Sequence, residues 1–262
     1  MSTIQKVISR DGTPIAYASV GTGTPVIFVV GALNDRHKCV PVAESLADGF
    51  TAVTYDRRAR GASGDTRPYA VQREVEDLTA VIEAVGGPAA VFGFSSGANL
   101  VLHAAAAGAP ISEVVLFEPP FTFGVPAPDP DDLPERLQAL LDAGKPDEVV
   151  TTFQIDGIGM PAEVVEQMRH APFFAGLAAM TQSVVYDAVV ARELRLPTPE
   201  MLAVKVPVLI LNGAETWPRL RDWATELANR LPGATREEVS GGENHGIPTE
   251  STAEAIRAFL KR

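Results

Sequence analysis

The chain has 262 residues, 46% of them hydrophobic, which is enough to bury a sizeable core and fits a single α/β domain carrying an insertion. Its 22 basic and 33 acidic residues leave a net charge of −11, which argues against nucleic acid and against anionic membrane surfaces as partners. The single cysteine, Cys39, excludes an intramolecular disulfide and reads as a small buried hydrophobe rather than a nucleophile.

The first residues lack the basic start and apolar run of a signal peptide, and no stretch approaches the ~20 apolar residues of a membrane span. The expected location is the cytoplasm, and the expected state a monomer or homodimer. In chain order, QKVIS (5–9) and IAYASV (15–20) read as strands joined by a hairpin at Asp11-Gly12. PVIFVV (25–30), TAVTY (51–55), AAVFGF (89–94), EVVLFE (113–118) and VPVLILN (206–212) are continuous apolar runs, the mark of strands covered on both faces. Helical spacing falls between and after them, in 73–85, 97–108 and 251–262. This alternation predicts an α/β fold: a mostly parallel sheet flanked by helices.

Residues 121–203 break the rhythm. They open with the proline-rich PPFTFGVPAPDPDDLP, a stiff hinge, and continue through helical stretches without a parallel-strand run. They read as a helical insertion on a core made of 1–120 and 204–262.

VFGFSSGANL (91–100) joins a predicted strand to a predicted helix, the context of a G-x-S-x-G nucleophile elbow. The spacing selects Ser95, which has Gly93 and Gly97 two residues away; Ser96 has Phe94 and Ala98 there. An acyl-transfer intermediate also needs two N–H donors for its oxyanion. The amide of Ser96, at a helix N-terminus, is one candidate. The loop VVGALNDR offers the other, at Ala32 with Leu33 as second choice. The base is expected in a loop before the last helix. Of four histidines (His37, His103, His170 and His245), only His245, in SGGENHGIPTE, lies there.

From RDGTPIAYASVGTGTPVIFVVGALNDR through YDRRARGASGD, GFSSG, LFEPPF and GGENHG, the chain resembles the α/β-hydrolase superfamily over nearly all of its length outside the insertion. The resemblance implies an eight-stranded sheet, with the insertion as a helical cap between strands 6 and 7. It also places an acidic residue after the seventh strand, where this chain has Thr216 in LNGAETWP. Two substitutes present themselves: Glu215 in the same turn, and Glu118 at the end of the sixth strand, where some branches of the superfamily carry the acid. A carboxylate at Glu118 would be buried and need a partner, a histidine or an arginine such as Arg57, so Glu118 is preferred. The charged loop YDRRARGASGD is read from the resemblance as structural, with Asp56 paired to Arg58.

These residues imply a cofactor-free serine hydrolase, with esters as the favoured substrates. The alternatives are perhydrolase- or haloperoxidase-like chemistry, a lactonase or C–C bond hydrolase using the same residues, or a ligand-binding member whose site is silent or slow. Phe94, Phe121, Phe123, Phe173, Phe174 and Trp217 are the candidate lining of an apolar substrate pocket. The histidines are not spaced as metal ligands, and GTGTP (21–25) lacks the lysine and following helix of a phosphate loop.

Overall fold

The computed structural model describes residues 3–124 and 130–261. Strands β1 (Gln5–Ile8) and β2 (Pro14–Val20) form the expected hairpin. Then follow β3 (Thr22–Val29), α1 (Val40–Leu46), β4 (Asp48–Tyr55), α2 (Val71–Ala84), β5 (Ala89–Phe94), α3 (Ser96–Ala106) and β6 (Ile111–Phe117). Among the described residues, six α-helices come next, with a π-turn (Phe153–Gly157) after the second: α4 (Leu133–Asp142), α5 (Pro146–Thr152), α6 (Ala162–Arg169), α7 (Phe174–Ala178), α8 (Thr181–Glu193) and α9 (Pro199–Leu202). The chain returns to the sheet with β7 (Val208–Gly213), α10 (Pro218–Arg230), β8 (Thr235–Val239) and α11 (Thr249–Leu260). The five residues after Gly124, within the proline-rich hinge of the sequence reading, lie outside the described residues.

The eight strands make one sheet in the order β1-β2-β4-β3-β5-β6-β7-β8. β2 runs antiparallel to β1 and β4, and the other pairs are parallel. Alternate residues of one strand feed opposite faces, as the two-residue period requires. Ile27, Val29, Val91, Leu116 and Ile210 pack under α2, α3 and α10, whereas Phe28, Phe92, Val115, Phe117 and Leu211 pack against α1 and α11. Both faces are therefore dry, which explains the unbroken apolar runs.

The strand order reverses beside β3: the chain moves outward to β4 and then returns to β5 on the other side. In open α/β sheets the crevice at the carboxyl end of such a reversal is where ligands bind. The ends of β3, β5, β6 and β7 all open there. Above them, α4, α5 and α8 share their own buried cluster, including Leu137, Val149 and Val184, against which Ala32, Leu33, Ala59 and Tyr69 of the core loops pack. The insertion is thus anchored to the loops at the carboxyl end of the sheet. Among the described residues, no helix is long and apolar enough to cross a membrane.

Candidate active site

Register brings the first two residues together. Phe94 of β5 pairs with Phe117 of β6, and the next residues, Ser95 and Glu118, leave the sheet side by side. The Ser95 amide donates to Phe117 O at 2.9 Å, and the Glu118 amide donates to Leu211 O at 2.8 Å. Ser95 turns sharply into α3, with φ 54° and ψ −130°. A Cβ on Gly93 would lie 2.5 Å from Ala98 Cα and 2.7 Å from Gly97 O, so the turn itself forbids it. Gly97 is confined differently: its Cβ would meet the carbonyls of Val29 and Val30 at 2.5 and 2.7 Å. One glycine lets the elbow bend, and the other lets it press against β3.

Glu118 is fully buried. Its Oε1 accepts a hydrogen bond from the Gly213 amide at 2.9 Å, and its Oε2 meets His245 Nδ1 in a short contact. The arginine alternative does not occur, because Arg57 is engaged by Glu74 and Asp187. Glu215 is exposed, and its carboxyl is pushed up by its hydrogen bond with Glu243 and by that neighbour's charge. The structure therefore joins His245 to Glu118 and leaves Glu215 outside the pair.

His245 ends a single 3-10 turn, Glu243–His245, and its side chain is 17% exposed. The imidazole stacks on Phe94 (centroids 4.8 Å apart) and on Trp217 (5.7 Å). With Nδ1 on the carboxylate, Nε2 is the nitrogen free to exchange a proton. Ser95 and His245 line the same cavity, but no hydrogen bond joins them; such contacts are often long in an unliganded site and tighten around substrate. The other histidines are elsewhere: His37 faces Asp35, His170 faces Glu166, and burial lowers the pKa of His103 within α3.

The loop after β3 is held by groups that sequence reasoning missed. Arg57 and Arg60 are buried under it. Arg57 donates to Val30 O, and Arg60 donates to Gly31 O and Asn34 O, both at 2.6 Å. Asp187, on α8, accepts from both guanidinium groups through Oδ1 and from the Leu33 amide through Oδ2, at 3.3 Å. Leu33, the second-choice oxyanion donor, is therefore already committed. The amides of Ala32 and Ser96 donate to no described residue, and both residues line the cavity. Burial works against the charge of Arg57, but Glu74 and Asp187 outweigh it and hold its pKa well above the ordinary arginine value. Arg60, equally buried and beside Arg57, is held below its own.

The expected Asp56–Arg58 pair is absent. Asp56 instead accepts from Arg36 Nη1 at 2.5 Å and from the Ala62 amide at 2.9 Å. Arg58 turns the other way, to Asp77 and Asp11. The loop is structural, but its two charges brace different neighbours. Cys39 is buried, and burial pushes its thiol up to about 12.

The cavity holds about 190 Å³. Phe94 and Trp217 line it, as expected, together with Ile158, Met160, Leu220 and Trp223. Phe153 lines it too, but the other four candidate phenylalanines do not. Phe121 is core, Phe123 packs at a tilt against Phe121 and under Arg230, Phe174 is buried within the insertion, and Phe173 is 53% exposed. Aromatic character marked them as apolar but not which surface they would meet. Four of the six described non-glycine residues with positive φ (Leu33, Ser95, Glu118 and His245) sit around this cavity or touch its wall. Strain of this kind costs about 1–3 kcal/mol per residue and persists only where packing over-determines it.

A family model described as "Alpha/beta hydrolase family" matches residues 26–259. The crystal structure of an alpha/beta hydrolase from Sphaerobacter thermophilus is 42% identical, covers 98% of this chain and 100% of its own, and superposes with a TM-score of 0.89. A thermophilic esterase from Thermogutta terrifontis shares the fold at 22% identity, with coverage of 99% and 98% and a TM-score of 0.77. The uncharacterized hydrolase YraK of Bacillus subtilis is 36% identical over 95 residues, 35% of either chain. The match spans about a third of the length of the curated relatives. With the family model covering most of the sequence and the fold agreeing throughout, the chain belongs to the alpha/beta hydrolase family.

Proposed function

We propose that the protein is a serine hydrolase that cleaves a small or medium carboxylic ester through an acyl-enzyme on Ser95. The observation that carries this reading is the buried Glu118 carboxylate, bonded to both the Gly213 amide and His245 Nδ1. A buried carboxylate so oriented holds the imidazole in the tautomer that leaves Nε2 basic, and it stabilises the imidazolium once formed.

In the first half-reaction, Ser95 Oγ attacks the ester carbonyl while its proton passes to His245 Nε2. The carbonyl oxygen becomes an oxyanion held by the amides of Ala32 and Ser96, the second reinforced by the N-terminus of α3. His245 then returns the proton to the leaving alkoxide, and the C–O bond breaks to give the acyl-enzyme. Water enters the second half-reaction: His245 takes its proton, the carboxylic acid forms, and Ser95 recovers its own. Phe94 and Trp217 restrict the imidazole between these steps. The apolar wall supports a mainly hydrophobic substrate, and the helices α4–α9 act as the cap above it.

A fluorophosphonate probe tests the reading. Wild-type protein is expected to be labelled and Ser95→Ala not. A wild type that stays unlabelled would favour a ligand-binding role for the same cavity.

A further inference from the structure

Two residues that line the cavity carry buried polar atoms that the proposed chemistry does not use. Ser96 and Asn99 both lie on α3, three residues apart and so on one face of the helix, immediately after the candidate nucleophile. Both line the cavity. Ser96 is 7% exposed and Asn99 2%. Their side-chain atoms Ser96 Oγ and Asn99 Oδ1 are buried without a hydrogen-bond partner. Leaving a buried polar group unpaired costs about 1–3 kcal/mol, so two such atoms on residues that line a cavity call for a partner.

Four other polar side chains that line the cavity are occupied. Asp187 is saturated by Arg57, Arg60 and the Leu33 amide; Asn34 Nδ2 donates to Ala32 O; Thr122 Oγ1 donates to Arg195 O; Arg219 donates to Ile158 O. Asn99 is held as well, but only at one end. Its Nδ2 donates to Leu194 O at 3.0 Å, which settles the amide orientation and leaves the acceptor, Oδ1, unpaired. Ser96 presents a hydroxyl that can donate or accept. The complement of this pair is a hydroxyl: it can donate to Asn99 Oδ1 and accept from Ser96 Oγ–H. An amide N–H satisfies only the first, and a methyl neither.

We propose that Ser96 Oγ and Asn99 Oδ1 form a polar subsite that selects substrates bearing a hydroxyl a few bonds from the scissile carbonyl. This rests on the serine-hydrolase reading for its reaction but not for its binding. Asn99 stands about one helical turn, roughly 5 Å, beyond the amide proposed to hold the oxyanion. That separation corresponds to a hydroxyl on the second to fourth atom from the carbonyl carbon, in the acyl chain or in the alcohol. The subsite narrows the substrate class from hydrophobic esters to hydroxylated ones with an otherwise apolar body.

The test compares isosteric pairs. On the acyl side, p-nitrophenyl 3-hydroxybutanoate is set against p-nitrophenyl 3-methylbutanoate; on the alcohol side, 3-hydroxypropyl acetate against butyl acetate. The wild type is expected to prefer the hydroxylated member of at least one pair by about tenfold in kcat/KM, the worth of one good neutral hydrogen bond. Asn99→Leu should bring that ratio close to one. Because Asn99 also holds Leu194 O, Ser96→Ala supplies a second variant whose removed hydroxyl bonds nothing in the fold; it should shrink the same ratio. Equal rates within both wild-type pairs would mean that water fills the subsite and would overturn the proposal, as would a preference that survives both substitutions. Binding of the same pairs to Ser95→Ala, measured by calorimetry, reads the subsite without turnover. A preference there, beside a wild type that no fluorophosphonate labels, would sink the hydrolase reading alone, whereas equal binding beside a labelled wild type would sink the subsite alone.

Discussion

Asp187, on an inserted helix, accepts a hydrogen bond from the Leu33 amide, 154 residues earlier in the chain, at 3.3 Å. The same carboxylate lies between Arg57 and Arg60, which between them hold the carbonyls of Val30, Gly31 and Asn34. Every peptide group on either side of the Ala32 amide is thus tied to one buried charge network, completed by Glu74. Two cations and two anions balance there, so the network is neutral only while all four are present. The insertion is therefore wired to the loop that carries a proposed oxyanion donor.

Asp187→Asn should accordingly do two separable things. Losing one partner of a buried ion pair typically costs about 3–5 kcal/mol, which in a chain of this size lowers Tm by roughly 10 °C. In the fraction that stays folded at low temperature, kcat should fall about tenfold or more with KM little changed, a milder form of the ~10²–10³ loss on deleting an oxyanion donor outright. A variant with a lowered Tm but unaltered kcat would show that the network supports stability only.

Glu118→Gln preserves shape and removes the charge beside His245 Nδ1. The cost expected in kcat is large, on the order of 10²–10⁴, because a neutral amide can stabilise the wrong tautomer. Glu215→Gln should leave turnover unchanged, since it alters only the surface contact between Glu215 and Glu243. Steady-state rates of the two variants side by side decide it: a larger loss in Glu215→Gln would reverse the assignment of the acid.

What the sequence made legible follows from how local each signal is. Ser95 stands out because the elbow is written in five consecutive residues, and His245 because one loop before the last helix contains it. Glu118 could be preferred because an acid at the end of a fully apolar strand is costly unless paired. The Arg57–Arg60–Asp187 network could not be read, because its contacts cross 127 to 154 residues and the charged residues gave no hint of their partners. Even the expected Asp56–Arg58 pair failed for this reason: neighbours in sequence turned to Arg36 and Asp77. Asn99 did leave a signal, an amide three residues after Ser96 on an otherwise Ala/Leu-rich helix.

Acid stability should report on Asp11. Burial alone would raise its carboxyl, but hydrogen bonds from Thr13 and Arg58 outweigh that and lower it from the ordinary 3.8 to about 2. A pKa depressed in the folded state means that the unfolded chain binds the proton first. The stabilisation is fully present above pH ~4 and is lost as pH falls towards 2. Asp11→Asn should therefore be less stable than wild type at pH 7, with the two denaturation midpoints converging between pH 4 and 2. A gap that stays constant across that window would mean that Asp11 acts through shape rather than charge.

Both tryptophans of the chain, Trp217 and Trp223, line the cavity, and Trp217 also stacks against His245. Intrinsic tryptophan emission should therefore respond to occupancy of the site and to little else. Titrating Ser95→Ala with an ester that it cannot turn over should shift or quench that emission saturably, because displacing water from two indoles changes their surroundings together. Trp223→Phe should retain part of the signal and Trp217→Phe the rest, with the Trp217 share also sensitive to His245→Ala in the empty protein. An emission spectrum indifferent to saturating ligand would place binding somewhere other than this cavity.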